Sequence, residues 1–296
     1  MLSYQHVFHA GNHADILKHS VLIQVLESLN KKDKPYTFFD THSGSALYDL
    51  TDSRSLKTGE AEKGVIQFSK SEKDSLNDYP PLLHYYDFVS AYLKNHLYPG
   101  SPEIEACFMR KQDTLILSEL HPSEIENLRE NMKNHKGENK PSIKIHFRDG
   151  WEMLKALTPP STGRGAVLID PSYETSDDYL KAAEIICAVN KKWSNGIILL
   201  WYPLLAYRKN EIKCMLETIE NNVLKTNHNT QISNLVLKVN KEDAHKEVAL
   251  EKNEEVNDYP RLYGSGIFII NTPYMLEENV RKPLDFLANV FSKKNQ

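Results

Sequence analysis

The segment Asp170-Pro171-Ser172-Tyr173 combines three groups that could act together on an amino group attached to an aromatic ring. Such a nitrogen is a poor nucleophile because its lone pair is delocalised into the ring. A carboxylate oxygen and a proline carbonyl can accept its two hydrogens and draw it toward tetrahedral geometry, and an aromatic ring can stack on the base. An ordinary strand-to-helix turn is the alternative, since Asp-Pro-Ser is also common turn chemistry.

Four successive predicted strands each end at, or just before, an acidic residue: Asp40, Glu119, Asp149 and Asp170. Open α/β sheets bind ligands at the carboxyl ends of their strands. Glu119 is placed to accept hydrogen bonds from ribose hydroxyls, and Asp149 to accept one from an adenine amino group. Any one of these carboxylates could simply cap a helix, but four at matching positions favour a binding site. They also favour a catalytic role for the segment that begins at Asp170.

The turn after the first predicted strand limits the kind of cofactor. A dinucleotide-binding enzyme would need a glycine-rich phosphate turn at this point. The sequence DTHSG at positions 40–44 offers only Gly44, which lets the backbone approach a ligand closely. The sequence therefore favours a nucleoside cofactor without phosphates.

Metal and acyl-transfer sites are not indicated. Four histidines crowd the N-terminus at positions 6, 9, 13 and 19, but neither cysteines at zinc spacing nor an HExxH helix accompanies them. No GxSxG motif is present. The cysteines fall in predicted helices, where buried free thiols in a reducing, cytoplasmic setting are the favoured interpretation: Cys107, Cys187 and Cys214.

Strands and helices alternate along most of the chain. Apolar runs predict strands at residues 36–40, 114–117, 143–147, 166–170, 197–201, 235–239 and 266–270. Apolar spacing predicts an amphipathic helix at 14–29 and further helices at 81–93, 151–157, 179–189, 211–223 and 283–291. This order predicts an α/β fold whose seven-stranded sheet is mostly parallel, with helices on both faces. The last two strands are expected to form a terminal hairpin.

Two helix starts are predicted from their capping residues. Ser101 can cap a helix whose first residue is Pro102, within the sequence YPGSP. Ser123 with Glu126 is expected to form a capping box at the helix that follows the second strand of the alternation.

Composition places the chain among globular proteins. Its 296 residues are 40% apolar and 26% charged, which suits one large α/β domain or one domain with a sizeable insertion. The longest apolar stretches are too short to cross a bilayer, and the N-terminus lacks the pattern of a secretory signal. A net charge of −4 argues against indiscriminate nucleic-acid binding through a strongly basic surface, although a local basic face is compatible with it.

Several motifs resemble one family, the bacterial 23S ribosomal RNA adenine(2030)-N6 methyltransferases. The pattern LSYxHxFHAGNHADxLKH occupies positions 2–19, and further matches follow in the order of that family. They are DTH at 40–42, YPGSP at 98–102, ELHP at 119–122, DG at 149–150, LIDP at 168–171, YE at 173–174 and LWYP at 200–203.

The resemblance implies a Rossmann-like methyltransferase domain over residues 1–296, with a small helical insertion at residues 46–99. It implies S-adenosylmethionine as the methyl donor. Tyr4 and His6 would belong to an N-terminal tail that closes over the site and contacts the substrate. The expected cofactor contacts are His19, His42, Ser101, Glu119, Asp149, Gly150 and Asp170, with Lys18 nearby.

The implied reaction is methylation of N6 of one adenine in 23S ribosomal RNA free of ribosomal proteins, after the base has left its stack. Asp170 and the Pro171 carbonyl would hold the amino group, and Tyr173 would stack on the base. One alternative is a DNA adenine-N6 methyltransferase. Another is a nucleic-acid-binding protein whose catalysis is weakened through Ser172 and which is linked to the use of external DNA, to which an older name of the family refers.

Two departures from the family pattern affect this interpretation. Ser172 stands where the family's DPPY motif has a second proline, so a fixed φ that would stiffen the turn is lost. The acidic segment at 240–258 looks longer than usual and is expected to be a mobile loop that could alter the admission of RNA.

Overall fold

A computed structural model describes residues 5–135, 137, 140–242 and 262–292. Tyr4 and most of the acidic segment at 240–258 lie outside these ranges. Within them, no helix combines the length and the apolar character that crossing a membrane would require.

Nine strands occupy the described ranges, seven in a central sheet and two in a separate ribbon. They are β1 (Thr37–Asp40), β2 (Leu47–Asp49), β3 (Leu97–Pro99), β4 (Thr114–Glu119), β5 (Ser142–Phe147), β6 (Gly165–Ile169), β7 (Ile197–Leu205), β8 (Ile232–Lys238) and β9 (Leu262–Ile270).

The central sheet has the order β5-β4-β1-β6-β7-β9-β8. Its first five strands are parallel, whereas β9 pairs antiparallel with both β7 and β8. The predicted mostly parallel seven-stranded sheet is therefore confirmed, as is the antiparallel pairing of the last two strands. β4 and β6 lie on opposite sides of β1 in the sheet. In open α/β sheets a crevice forms at the carboxyl ends of strands arranged in this way, here beside β1.

The helices of the described ranges alternate with these strands. They are α1 (His13–Asn30), α2 (Ser53–Thr58), α3 (Gln67–Ser69), α4 (Pro80–Leu93), α5 (Ser101–Phe108), α6 (Pro122–Asn134), α7 (Gly150–Leu157), α8 (Asp177–Lys192), α9 (Lys209–Thr226) and α10 (Leu276–Ser292). A one-turn π-helix, Glu62–Ile66, leads into α3, and 3-10 turns occur at His6–Phe8, Lys73–Leu76 and Ala206–Arg208.

Alternate residues of the buried strands face two apolar layers, as the two-residue period of a strand requires. Phe38 packs with α1, α5, α6 and α10 on one face, whereas its neighbour Phe39 packs with α7, α8 and α9 on the other. Both faces of the sheet are thus covered, which explains the continuous apolar runs in its parallel strands.

Helix α1 is buried almost all round, so the expectation of an amphipathic helix was wrong. Asp15, Lys18 and His19 are buried along with its apolar residues. The apolar spacing identified the helix, but charged residues on its other side are covered by the rest of the protein. Charged side chains are almost never fully buried unless they are paired, which directs attention to their partners.

A two-stranded antiparallel ribbon of β2 and β3 closes the segment between β1 and α5. Helix α4 of this segment packs against α1 and α10. We propose that residues 46–99 are an insertion subdomain carried by the sheet domain, because the ribbon brings the two ends of the segment together.

Both capping predictions were wrong. Gly100 is the N-cap of α5, and the Ser101 hydroxyl instead donates to Asp40 Oδ2 at 2.6 Å. His121 is the N-cap of α6, where its Nδ1 accepts from the Ser123 amide, and Glu126 pairs with Arg129. A buried carboxylate attracts a hydroxyl more strongly than a helix end does, and that carboxylate comes from a distant part of the chain.

The expectation of buried thiols was also wrong for two of the three cysteines. Cys107 and Cys214 are exposed and Cys187 is half-buried, and all three are free thiols. All three do lie in helices, α5, α9 and α8. The spacing of apolar residues predicted the helices. The face of the helix on which each cysteine lies depends on how that helix packs in the fold.

Candidate active site

A cavity of about 210 Å³ opens at the carboxyl ends of β1, β4 and β6. Loops after these strands, the ribbon and the first turns of α5 and α7 form its walls. Every predicted site residue that the structure describes, except Tyr173, lines this cavity: His6, Lys18, His19, His42, Ser101, Glu119, Asp149, Gly150, Asp170 and Pro171. The sequence motifs therefore converge, although they are spread from the N-terminus to position 171.

At the end of β6, Asp170 is paired with a lysine of α1. Lys18 Nζ donates to Asp170 Oδ2 at 2.5 Å and lies 2.9 Å from Asp15 Oδ1. The Lys18 side chain is 5% exposed and that of Asp15 is 2% exposed, so the pair is shielded from water. One cation thus bridges two carboxylates, one of them directly at the candidate catalytic turn.

His6 extends this chain of contacts toward the N-terminal tail. Its Nε2 lies 3.0 Å from Asp15 Oδ2, which also accepts from the Gly11 amide at 2.8 Å. Burial alone would raise the pKa of Asp15, but Lys18 and His6 hold it well below its ordinary value. Burial would lower the pKa of Lys18, yet Asp15 and Asp170 raise it, so the lysine stays charged. His6, Asp15, Lys18 and Asp170 therefore form one continuous chain of polar contacts, with Asp15 and Lys18 buried at its centre.

The Pro171 carbonyl, predicted to accept the second amino hydrogen, is free for that role. Pro171 lines the cavity, and no described residue donates to its carbonyl. Next to it, the Ser172 amide donates to none of the described residues, and the Ser172 side chain is exposed. The turn therefore offers the cavity one carboxylate and one unengaged carbonyl in sequence.

Tyr173, which was expected to stack on a base, does not line the cavity in this structure. It is 5% exposed, its centroid is 4.5 Å from that of Tyr179, and its hydroxyl donates to the Trp201 carbonyl at 3.0 Å. Its φ of 49° lies in the left-handed region, which turns the ring behind the loop. In this structure Tyr173 thus ties the turn to β7.

Glu119 ends β4 and is held by backbone amides. Its Oε1 accepts from Leu120 and His121 at 2.8 and 2.7 Å, and its Oε2 accepts from Gly44 at 2.7 Å. Burial raises the pKa of Glu119 despite these three amides. A carboxylate has about four acceptor positions, so one remains on Oε2 toward the cavity.

Gly44 and Gly150 are required by close approaches around this wall. Gly44 has a φ of +59°, and a Cβ there would lie 2.2 Å from the Tyr48 hydroxyl. A Cβ on Gly150 would lie 2.0 Å from the Thr41 carbonyl. The turn after β1 therefore packs directly against the ribbon and against the start of α7.

Asp149 acts as a helix cap and still presents one oxygen to the cavity. Its Oδ1 accepts from the Trp151 and Glu152 amides at 2.7 and 3.2 Å, and Lys181 Nζ lies 3.3 Å from Oδ2. The Trp151 ring lines the cavity beside it. Helix capping and ligand binding are thus compatible here, because they use different oxygens.

Two histidines of the cavity wall are neutral. Burial lowers the pKa of His19 to about 3 and that of His42 to about 4. His19 Nδ1 contacts the Tyr98 hydroxyl at 2.9 Å, while its Nε2 is buried without a partner among the described residues. His42 Nδ1 contacts the Thr41 hydroxyl at 2.7 Å. A buried imidazole nitrogen without a partner is a group that a bound ligand could satisfy.

The remaining N-terminal histidines are engaged separately and do not share a centre. His9 Nδ1 lies 2.9 Å from Glu60 Oε1, and His13 packs on Phe291 with its pKa lowered by burial to about 4. Elsewhere in the described ranges, Glu103, Cys107 and His135 lie near one another. There the Glu103 carboxylate is already engaged by His135, at 3.0 Å, and by the Tyr92 hydroxyl, at 2.7 Å.

Several residues of the site were not predicted from the sequence. Asp15 anchors Lys18 from within α1, and the signal for it was an acidic residue three positions before a lysine in an otherwise apolar helix. Tyr48, Trp151 and Glu124 line the cavity from the ribbon, α7 and α6. Nothing in their local sequence distinguishes them from core or surface residues.

Comparison with known proteins decides the family. Residues 33–296 match the model of the family described as "Ribosomal RNA large subunit methyltransferase D, RlmJ". The chain belongs to this family. The resemblance noted in the sequence is thereby confirmed, and with it the expectation of an enzyme that methylates ribosomal RNA.

Individual members of the RlmJ family resemble the chain over nearly its whole length. Ribosomal RNA large subunit methyltransferase J of Escherichia coli is 34% identical over 291 residues, covering 97% of this chain and 93% of the relative. The protein of the same name from Haemophilus influenzae is 33% identical with the same coverage. The crystal structure of protein LPL1258 from Legionella pneumophila has a TM-score of 0.76 at 30% identity, covering 97% of this chain and 96% of that one.

Proposed function

We propose that this RlmJ-family enzyme transfers a methyl group from S-adenosylmethionine to N6 of an adenine in 23S ribosomal RNA. Family membership supports ribosomal RNA as the substrate class. The observation that carries the choice of atom is the cavity wall formed by Asp170 and Pro171, a carboxylate followed by an unengaged carbonyl. Two acceptors in sequence match the two hydrogens of an exocyclic amino group.

In this proposal Asp170 orients the amino group and does not act as a strong base. One Asp170 oxygen is engaged by Lys18 at 2.5 Å, which leaves the other to accept from N6. The Pro171 carbonyl accepts the second hydrogen. With both hydrogens held in this way, the nitrogen lone pair is less delocalised into the adenine ring. The methylated nitrogen is acidic and can release its proton readily afterwards.

Lys18 stabilises this arrangement because its ion pair holds the Asp170 carboxylate in one orientation. Placing the donor on a buried helix leaves little freedom for the carboxylate to rotate. His6 connects the same chain of contacts, through Asp15, to the N-terminal tail. We propose that Tyr4 and His6 contact the substrate, so that closure of the tail and the orientation of Asp170 are coupled.

The cavity residues fit S-adenosylmethionine. When bound, this group supplies a methyl made electrophilic by its sulfonium. The remaining acceptor position of Glu119 suits a ribose hydroxyl, and Asp149 Oδ2, next to the Trp151 ring, suits the adenine amino group. His19, whose Nε2 is buried without a described partner, also lines the cavity, as do His42 and Ser101. We assign these residues, with Gly150 at the start of α7, to cofactor binding.

The target adenine must leave its stack to reach this crevice, which favours RNA that is single-stranded and free of ribosomal proteins. Tyr173, whose ring packs on Tyr179 behind the turn, would need to move to stack on the base.

The test is methyl transfer from radiolabelled S-adenosylmethionine to protein-free 23S ribosomal RNA, with assembled large subunits and duplex DNA as parallel substrates. We expect label in the protein-free RNA, released as N6-methyladenosine after digestion. Label in DNA alone would show that the substrate is DNA and not RNA. Label in another nucleoside would remove the assigned role of Asp170 and Pro171, and label in none would indicate a binding protein.

A further inference from the structure

Glu105, on the buried side of α5, has an environment unlike that of any other carboxyl at the site. Its side chain is 0% exposed, and neither carboxyl oxygen has a hydrogen-bond donor among the described residues. A charged carboxylate without donors is strongly disfavoured in a protein interior, and such a group takes up a proton instead.

Beside Glu105 lies a second buried carboxyl, Asp40 at the end of β1. Ser101, one helical turn before Glu105 on α5, donates to Asp40, and the charge of Asp40 raises the pKa of Glu105. Asp40 has donors of its own, since its Oδ2 accepts from the Ser101 hydroxyl at 2.6 Å and its Oδ1 from the His42 amide at 3.1 Å. Two carboxylates cannot hydrogen-bond to each other unless one of them carries a proton. Glu105, which lacks other donors, is the member that needs it.

The charged groups around this pair do not supply an alternative donor. Lys18 and Asp170 face Asp40 from α1 and from the end of β6, but Lys18 is already engaged by Asp15 and Asp170. Tyr36, just before β1, also faces Glu105 and is hydrogen-bonded to Asn30. Burial raises the pKa of Asp40 to about 6 and raises the pKa of Glu105 well above its ordinary value, to which Asp40 also contributes.

We propose that Glu105 is a positioning residue of the cofactor site, protonated in the folded protein and donating its O–H to Asp40. When Glu105 holds Asp40 in place, Asp40 in turn fixes the Ser101 hydroxyl and the His42 backbone. Both of these residues line the cavity. The inference rests on the proposed function, since it is there that Ser101 and His42 are assigned to the cofactor.

Infrared spectroscopy tests the proton directly. Wild-type protein at neutral pH should show the C=O stretch of a buried protonated carboxyl, which shifts after exchange into D₂O. Glu105→Gln should lose this band. Glu103→Gln, a change on the same helix at a carboxyl engaged by His135, should retain it. A wild-type spectrum without the band, or an unchanged band in Glu105→Gln, would overturn the assignment.

Calorimetry with S-adenosylmethionine tests the positioning role. Glu105→Gln keeps a donor toward Asp40 and should bind within about twofold of wild type. Glu105→Met removes the donor and should weaken binding about tenfold, a typical effect of leaving a buried acceptor without its donor. Equal affinity in all three proteins would exclude a positioning role. If the wild type itself does not bind, the proposed function and the cofactor role both fail, while the infrared band still decides the protonation.

The pH dependence of stability is a third measurement, and it needs only Glu105→Gln. A carboxyl whose folded-state pKa is raised stabilises the fold fully below its ordinary pKa, 4.5 for Glu105, and loses that contribution as pH rises through the folded-state value. The Tm of Glu105→Gln relative to wild type should therefore increase from acidic to alkaline pH. A difference that is constant with pH would contradict a protonated Glu105.

Discussion

Two carboxylates of the cavity, at the ends of the strands on either side of β1, are held in opposite ways. Asp170 is held by the side chain of Lys18, which comes from a helix 152 residues earlier in the chain. Glu119 is held by three backbone amides, those of Gly44, Leu120 and His121. The first arrangement depends on a single buried cation, whereas the second depends on the path of the backbone.

This difference indicates a division of tasks within the proposed site. Backbone amides fix Glu119 without a counter-charge, which suits the recognition of neutral ribose hydroxyls. The Lys18 ammonium holds Asp170 through an ion pair, and through Asp15 it links Asp170 to His6. Substitutions that remove a charge should therefore have their main effect at Asp170. Substitutions that remove a hydrogen-bond acceptor should have their main effect at Glu119.

The largest expected effect is on catalysis at Asp170. Asp170→Ala should reduce methylation to background, because no carboxylate remains to accept from the amino group. Affinity for S-adenosylmethionine should fall much less, since Glu119 and Asp149 are unchanged. Radiolabel transfer and calorimetry on one preparation measure both. Near-normal turnover would show that the amino group is held elsewhere.

Lys18→Met should cause the largest loss of stability. It leaves the buried Asp15 carboxylate and the partly buried Asp170 carboxylate without their shared cation, and breaking a buried pair typically costs about 3–5 kcal/mol. Denaturant unfolding measures the free energy of unfolding. The matched control is Lys181→Met, whose lysine is 46% exposed in its pair with Asp149 and which should cost about 0–1 kcal/mol. Similar losses in both variants would contradict the importance of burial at Lys18.

Glu119→Ala should weaken cofactor binding at least tenfold. Removing one partner of a buried charged hydrogen bond typically costs about 2–5 kcal/mol, part of which is the cost of the groups left unpaired. Here the amides of Gly44, Leu120 and His121 would lose their acceptor as well. Calorimetry on the folded variant, verified by circular dichroism, measures the change. Unchanged affinity would place the ribose elsewhere.

Ser172→Pro should have the smallest effect of these variants, and it should stabilise the protein instead of impairing it. The Ser172 amide donates to no described residue, so proline removes no hydrogen bond there. Where the native φ is compatible, proline stabilises by roughly 0.4–1 kcal/mol because it restricts the unfolded chain. The variant should be at least as stable and at least as active as wild type. A destabilised, inactive variant would show that the turn differs from the family pattern in more than this side chain.

The alternation of elements and the acidic strand ends could be predicted from the sequence, because both depend on local patterns. Apolar runs identify parallel strands that are buried on both faces, and the residue after such a run lies at the binding edge of the sheet. For this reason the sequence places Asp40, Glu119, Asp149 and Asp170 at one edge of the sheet, and three of them line the cavity.

Contacts between distant segments could not be predicted from the sequence. Ser101 was predicted to cap a helix, yet its hydroxyl bonds Asp40, and Tyr173 was predicted to face the base, yet its ring packs on Tyr179. Each side chain had a local role open to it and a stronger one with a partner elsewhere in the fold. A single sequence contains no signal for that choice.

The sequence by itself determined the α/β order, the convergence of the motifs and the acidic character of the site, because the two-residue and 3.6-residue periods of apolar residues require burial of particular faces. Only the tertiary structure decided that Lys18 joins Asp15 to Asp170 and that Glu105 lies against Asp40. Burial is the physical reason. Away from water, each charge must find a partner or a proton, and which partner it finds depends on how the helices pack against the sheet.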